Sequence, residues 1–189
     1  MIVASISERR LKCPVEVFFV DETHFSNEPY LQRGWFRCGV QAQTPQPVRR
    51  QRVSLFGALQ LGSQRFCWKR VERGSSKGLF EFLTQLHRRF PETLLVVILD
   101  NATIHTSRLV KEFLQRHDWI EFEYLTPYSP EYNPIERFWP WLKAKLYGTS
   151  AFVTVEAVMA RMRRLIRHYN AGRLTTSIHF DFASYAQIL

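Results

Sequence analysis

Two short apolar runs, each closed by an aspartate, limit what this chain can fold into more than any other feature. Val15–Val20 (VEVFFV) leads into Asp21, and Leu94–Leu99 (LLVVIL) leads into Asp100. The second run is six apolar residues without a polar break and implies a strand covered on both faces, as in a parallel sheet flanked by helices; the first, broken only by Glu16, reads as a buried strand too. Neither run approaches the ~20 apolar residues that a membrane-spanning helix needs. The opening MIVASISERRLK turns polar after four residues, too soon for the apolar centre of a secretory signal. Three scattered cysteines (Cys13, Cys38 and Cys67) without a CxxC pair argue against a disulfide framework or a zinc knuckle and suit a reducing cytoplasm. With 189 residues, 46% of them hydrophobic and 23% charged, the expectation is one soluble, cytoplasmic, globular domain.

The remaining elements follow from periodicity. Val53–Leu61 and Arg65–Val71 read as a hairpin around Gly62–Ser63. Gly74–Ser75–Ser76 opens a helix whose apolar face is Leu79, Phe82, Leu83, Leu86 and Phe90. A helix with Leu109, Val110, Phe113, Leu114 and His117 on one side precedes a short strand, Ile120–Leu125. A Pro-rich loop, 127–133, then leads into two helices near Pro134–Tyr147 and Thr154–Tyr169. Strands first and alternating helix and strand afterwards predict an α/β domain with a mixed five-stranded sheet, antiparallel early and parallel late.

A formal net charge of +9 and a pI near 9.8 favour polyanionic partners, nucleic acid above all. Arg49, Arg50 and Arg52 form one basic cluster, and Arg161, Arg163, Arg164 and Arg167 form another. In the last helix the buried stripe Val155, Val158, Met159, Met162, Leu165, Ile166 and Tyr169 pushes those arginines outward, where a solvated polar face explains them equally well. Arg49, Arg50, Arg52 and Lys143 are the candidate nucleic-acid contacts.

Asp21 and Asp100 end their strands at the edge where α/β sheets bind ligands. Two neighbouring strands would set these carboxylates face to face, a repulsive arrangement unless a proton or a cation lies between them. Ligands that are all oxygen favour Mg²⁺ or Mn²⁺. Capping of the following turn is the alternative for each aspartate. The third candidate is Glu136, in TPYSPEYNPIERFW. Asn133 as N-cap, Pro134 at the first helical position and Glu136 at the third also spell a capping box. Glu22 points away from Asp21 in an extended strand, and His24 is a minor candidate. Asp118, Glu121, Glu123, Glu131 and Asp181 are explained by solvation.

FVDETHF, ILDNATIHTS and YLTPYSPEYNPIERFWPWLK closely resemble the three acidic signatures of DDE transposases of the mariner-like superfamily, in its bacterial insertion-sequence branch with a DDE-superfamily endonuclease domain. GWFRCG and RVSLFGAL resemble that family's early hairpin region, and the likeness covers roughly Val15 to Gly148. Thirty-five residues separate Asp100 from Glu136, a spacing close to the family's. The resemblance implies a ribonuclease H-like fold in which the strands of Asp21 and Asp100 are neighbours. It implies that Asp21, Asp100 and Glu136 hold two Mg²⁺ ions, with Mn²⁺ as a substitute. Two such ions ~3.5–4 Å apart activate the attacking oxygen and stabilise the leaving one. The implied activity is hydrolysis of DNA at transposon ends, followed by joining of the 3′-hydroxyl to target DNA. Asn101 and His105, in the DNA-x-x-H part of the second signature, are implied supporting residues; His105 would orient water or contact a phosphate, or else be a hydrogen-bonded residue at a helix start.

Two features depart from the pattern. Family members carry a DNA-binding region before the catalytic domain, whereas residues 1–14 suffice only for a residual linker; residues 15–150 would be the catalytic domain and 151–189 a helical extension packed on it. A separately encoded N-terminal DNA-binding half and a second copy of this chain in a homodimer are therefore expected partners beside DNA, although no dimerisation signature stands out. Pro140, four residues after Glu136, is expected to kink the last motif's helix or delay its start, tilting Glu136 from the aspartates. A different ribonuclease H-like nuclease and a catalytically silent nucleic-acid-binding module remain the alternative readings.

Overall fold

A computed structural model describes residues 14–29, 37–39, 47–127, 132–148 and 152–176. Its elements are β1 (Val15–Ser26), β2 (Arg52–Gln60), β3 (Phe66–Val71), α1 (Ser76–Arg89), β4 (Leu94–Leu99), α2 (Thr103–Thr106), α3 (Arg108–Arg116), β5 (Ile120–Tyr124), α4 (Pro134–Tyr147) and α5 (Val155–Asn170). The strands form one sheet in the order β3-β2-β1-β4-β5. β1 pairs antiparallel with β2 and parallel with β4, so the mixed five-stranded sheet expected from the sequence is the one that forms.

Strand parity assigns the two faces. Val15, Val17, Phe19 and Phe25 of β1, with Val96 and Ile98 of β4, meet α4 and α5. Phe18 and Val20, with Leu95, Val97 and Leu99, meet α1 on the opposite face. Both central strands are thus buried on both sides, which is why their sequences are nearly continuous hydrophobics. Ser75 caps α1 by accepting from Gly78 N–H, and Thr154 caps α5 by accepting from Ala157 N–H.

Several expectations need correction. β1 does not stop at Asp21–Glu22 but continues to Ser26, because Glu22–Ser26 pair with Arg52–Phe56 of β2 and Thr23 and Phe25 turn inward. Leu109 is 59% exposed instead of lining the buried side of α3, where Val110 is fully covered. α4 begins at Pro134 and passes through Pro140 without a break. An interior proline costs a helix about 3 kcal/mol. Burial of Ile135, Phe138, Trp139, Leu142 and Leu146 on the same helix outweighs that at roughly 1.5–3 kcal/mol for each side chain. Asn133 caps α4 through Oδ1, which accepts from Ile135 N–H at 3.3 Å. Glu136 uses its own N–H to reach Asn133 O at 3.0 Å, and among the described residues its carboxylate does not close the capping box. Cys13, Glu131, Asp181, the first half of GWFRCG, the centre of the Pro-rich loop, nearly all of the expected 1–14 linker and the chain beyond Thr176 lie outside the described residues. No helix among the described residues is long and apolar enough to cross a membrane.

Candidate active site

The parallel register brings the two aspartates together. Phe19 of β1 pairs with Ile98 of β4, and Asp21 and Asp100 each follow that pair by two residues, near enough for Asp100 to repel Asp21. Side chains two apart on a strand share a face, so both carboxylates lie on the face that carries α4. Glu22 lies on the other face, its carboxylate against the backbone of Gly74.

Each aspartate is held by an aromatic N–H. Trp139 Nε1–H donates to Asp21 Oδ2 at 2.8 Å. His105 Nδ1 donates to Asp100 Oδ1 at 2.7 Å, and Ala102 N–H reaches the same oxygen at 3.2 Å. Asp100 therefore does cap the turn after its strand, and that capping leaves its other oxygen at the strand end. His105 is 2% exposed and its backbone carbonyl accepts from Tyr124 O–H at 2.7 Å. Buried this way, His105 does not reach solvent to orient water or to contact a phosphate. Among the described residues its Nε2 has no hydrogen-bond partner. Asn101 donates through its side-chain amide to Leu125 O and ties the ends of β4 and β5 together.

Glu136 sits in the first turn of α4 and is exposed. The expected break at Pro140 does not occur, and Glu136 in the unbroken helix is near enough to repel Asp21 and raise its pKa. Burial pushes Asp21 up from 3.8 to about 7, and repulsion from Glu136 and then Asp100 adds to the rise against the hydrogen bond from Trp139. Glu136 is raised as well, by burial and then by Asp100, with Lys143 opposing. Asp100 moves the other way, held low chiefly by the His105 hydrogen bond.

The basic candidates separate into two groups. Arg52 and Lys143 line one open cleft of about 420 Å³ together with Glu22, His24, Phe25 and Glu28. Lys143 Nζ lies 5.6 Å from the centre of the Phe25 ring. Burial lowers its pKa, while Asp21 and Glu136 oppose that shift. Arg50 instead pairs with Glu28 at 3.1 Å, and Arg49 is exposed with its carbonyl accepting from Asn27. Sequence reasoning missed Trp139 and Gly57. An isolated glycine inside a strand is a signal of close approach by another group, and Gly57 is such a residue.

The donor set suits a hard divalent ion. Three carboxylates that repel one another at one sheet edge carry charge that only a proton or a cation neutralises, and all their ligand atoms are oxygens. Among the described residues no three His, Cys, Asp or Glu side chains are yet gathered tightly enough to hold an ion outright.

A mixed sheet in this order, with one aspartate within its middle strand and another just past the end of the neighbouring parallel strand, has the ribonuclease H-like fold. The chain superposes on the Mos1 strand transfer complex with a TM-score of 0.63 and 15% identity, covering 99% of this chain and 55% of that one. It also superposes on the catalytic core domain of BIV integrase with a TM-score of 0.52 and 16% identity, covering 91% and 94% respectively. Residues 16–159 match the model of the DDE superfamily endonucleases, and the chain belongs to that family. It is 28% identical over 144 residues to the insertion element IS630 uncharacterized 39 kDa protein of Shigella sonnei. That alignment takes in 72% of this chain and 41% of the relative, so the chain spans less than half of that protein's length.

Proposed function

We propose that this chain is the catalytic domain of an insertion-sequence transposase, cutting DNA phosphodiester bonds with Mg²⁺ and joining the freed 3′-hydroxyl to target DNA. The observation that carries the reading is the parallel β1–β4 pairing, which leads into Asp21 and Asp100 side by side, with Glu136 at the start of α4 close enough to repel Asp21. Endonucleases of this superfamily use divalent metal ions. Asp21, Asp100 and Glu136 would hold them here, and the ions when bound supply charge neutralisation at the attacking and leaving oxygens. Trp139 and His105 fix the two aspartates, so the carboxylates meet their ions with little reorganisation. Lys143 and Arg52, beside the carboxylates, suit the phosphates that flank the cut.

Residues 15–150 would form the catalytic unit and 151–189 an extension packed on it. α5 contributes Val158, Met162 and Ile166 to the same core as α4, which supports that division. Recognition of particular DNA ends would come from a separate N-terminal DNA-binding half, and two copies of the chain would bridge two ends.

The reading is tested with supercoiled plasmid and Mn²⁺. Nicking that disappears in Asp100→Ala while the fold persists is the expected outcome, and full activity in that variant overturns the mechanism. Joining of a pre-cut 3′-end separates a transposase from a nuclease that only hydrolyses. Salt-sensitive DNA binding indifferent to Mg²⁺ and to loss of Asp21 would point to a silent binding module instead.

A further inference from the structure

Gly57 lies directly across from Asp21 in the β1–β2 pair, on the face that carries α4. A Cβ at this position would stand 2.4 Å from Trp139 Cη2 and 2.7 Å from Cζ2. The six-membered ring of the indole therefore rests on bare backbone. Along the same edge of the indole, next to Cζ2, Nε1–H donates to Asp21 Oδ2 at 2.8 Å. The side chain is 4% exposed and fixed by edge contacts with Phe25 and Phe66, at centroid distances of 6.3 and 5.3 Å.

The choice of indole has a chemical reason. An indole N–H only donates and does not ligate metal, so it orients a carboxylate without competing for the ion that carboxylate would bind. One bond to Oδ2 stops rotation of the Asp21 carboxylate and leaves Oδ1 as the second donor atom. Trp139 also follows Glu136 by one turn of α4. The depth to which the indole sinks onto Gly57 therefore sets how close the start of α4, and with it Glu136, comes to the strand ends. Any side chain at position 57 would lift that helix.

We propose that Trp139, seated on Gly57, is a positioning residue that presents Asp21 to a divalent cation and sets the height of Glu136 above the sheet. This rests on the reading of the three carboxylates as metal ligands.

The test is calorimetric titration of the full chain with Mn²⁺, together with the indole ¹⁵N–¹H resonances of the metal-free protein. Trp139→Phe keeps a ring in the pocket and removes the N–H; its Mn²⁺ affinity falls about tenfold, the lower end of what loss of an outer-shell partner costs. Gly57→Ala retains the donor but lifts the ring, and affinity falls in the same direction. In the metal-free wild type, Asp21→Asn shifts the Trp139 indole resonance. Wild-type affinity in Trp139→Phe with lost affinity in Asp100→Ala overturns this proposal alone. Wild-type affinity in both variants overturns the carboxylate reading beneath it. Should Trp139→Phe fail to fold, Gly57→Ala and the indole resonance decide: no change in either overturns the proposal.

Discussion

Asp21 and Asp100 each lie two residues beyond the Phe19–Ile98 pair of the parallel β1–β4 ladder, and their surroundings drive their pKa values apart. Asp21, half-buried beneath α4, is pushed up to about 7, whereas Asp100 accepts from His105 at 2.7 Å and is held low. A proton or a cation at Asp21 would relieve the repulsion among the carboxylates, while the His105 hydrogen bond favours the ionised form of Asp100.

The raised Asp21 gives a stability prediction with a definite sign. A carboxylate whose folded value exceeds its unfolded 3.8 contributes stability that is present below pH 3.8 and lost as pH climbs through about 7. In EDTA, the wild type should lose ground to Asp21→Asn between pH 5 and pH 8, by a few kcal/mol at the alkaline end. Urea denaturation of both proteins across that range checks this; a gap that widens toward acid would contradict it.

His105 holds Asp100 from a buried position, so His105→Ala leaves the carboxylate without its principal donor. The variant should lose about 1–3 kcal/mol of stability. Plasmid nicking should weaken, though Asp100 itself is retained. Chemical denaturation and the Mn²⁺-supported assay together measure both effects.

Pro140 is exposed and removes one hydrogen bond from the interior of α4. Pro140→Ala restores a donor to the Glu136 carbonyl without opening a cavity. A stability gain of about 1–3 kcal/mol is expected, bounded by the cost of an interior proline. A calorimetric melt that shows no gain would mean the helix already accommodates the ring fully.

Lys143 and Arg52 share the cleft next to the carboxylates and carry the proposed phosphate contacts. Changing both to Gln should weaken DNA binding uniformly across sequences and flatten the plot of log affinity against log salt by about two units, one for each phosphate released. Binding by fluorescence anisotropy at several salt concentrations reads the slope. Arg50→Gln, whose partner is Glu28 at 3.1 Å, should leave that slope nearly unchanged.

Much was legible in the sequence because its signals are local. VEVFFV and LLVVIL announce strands covered on both sides, Ser75 and Thr154 announce helix starts, and the two aspartates mark the strand ends by their abrupt polarity. The continuation of β1 through Asp21–Glu22 was not legible, since only pairing with Arg52–Phe56 keeps those polar residues extended. The effect of Pro140 was misjudged for a similar reason: local rules count the lost hydrogen bond but not the side chains that α4 buries on the sheet.

The chain by itself determined the elements, the fold class and the three acidic positions, because periodicity, caps and polarity breaks act over a few residues. Tertiary structure alone decided which groups meet. The parallel pairing of β1 with β4 brings Asp21 near Asp100, the bare backbone of Gly57 admits Trp139 to the Asp21 carboxylate, and burial turns His105 from a solvent-facing candidate into the partner of Asp100. These contacts join residues as far apart as 118 positions, and only packing of the whole sheet and its helices fixes such distances.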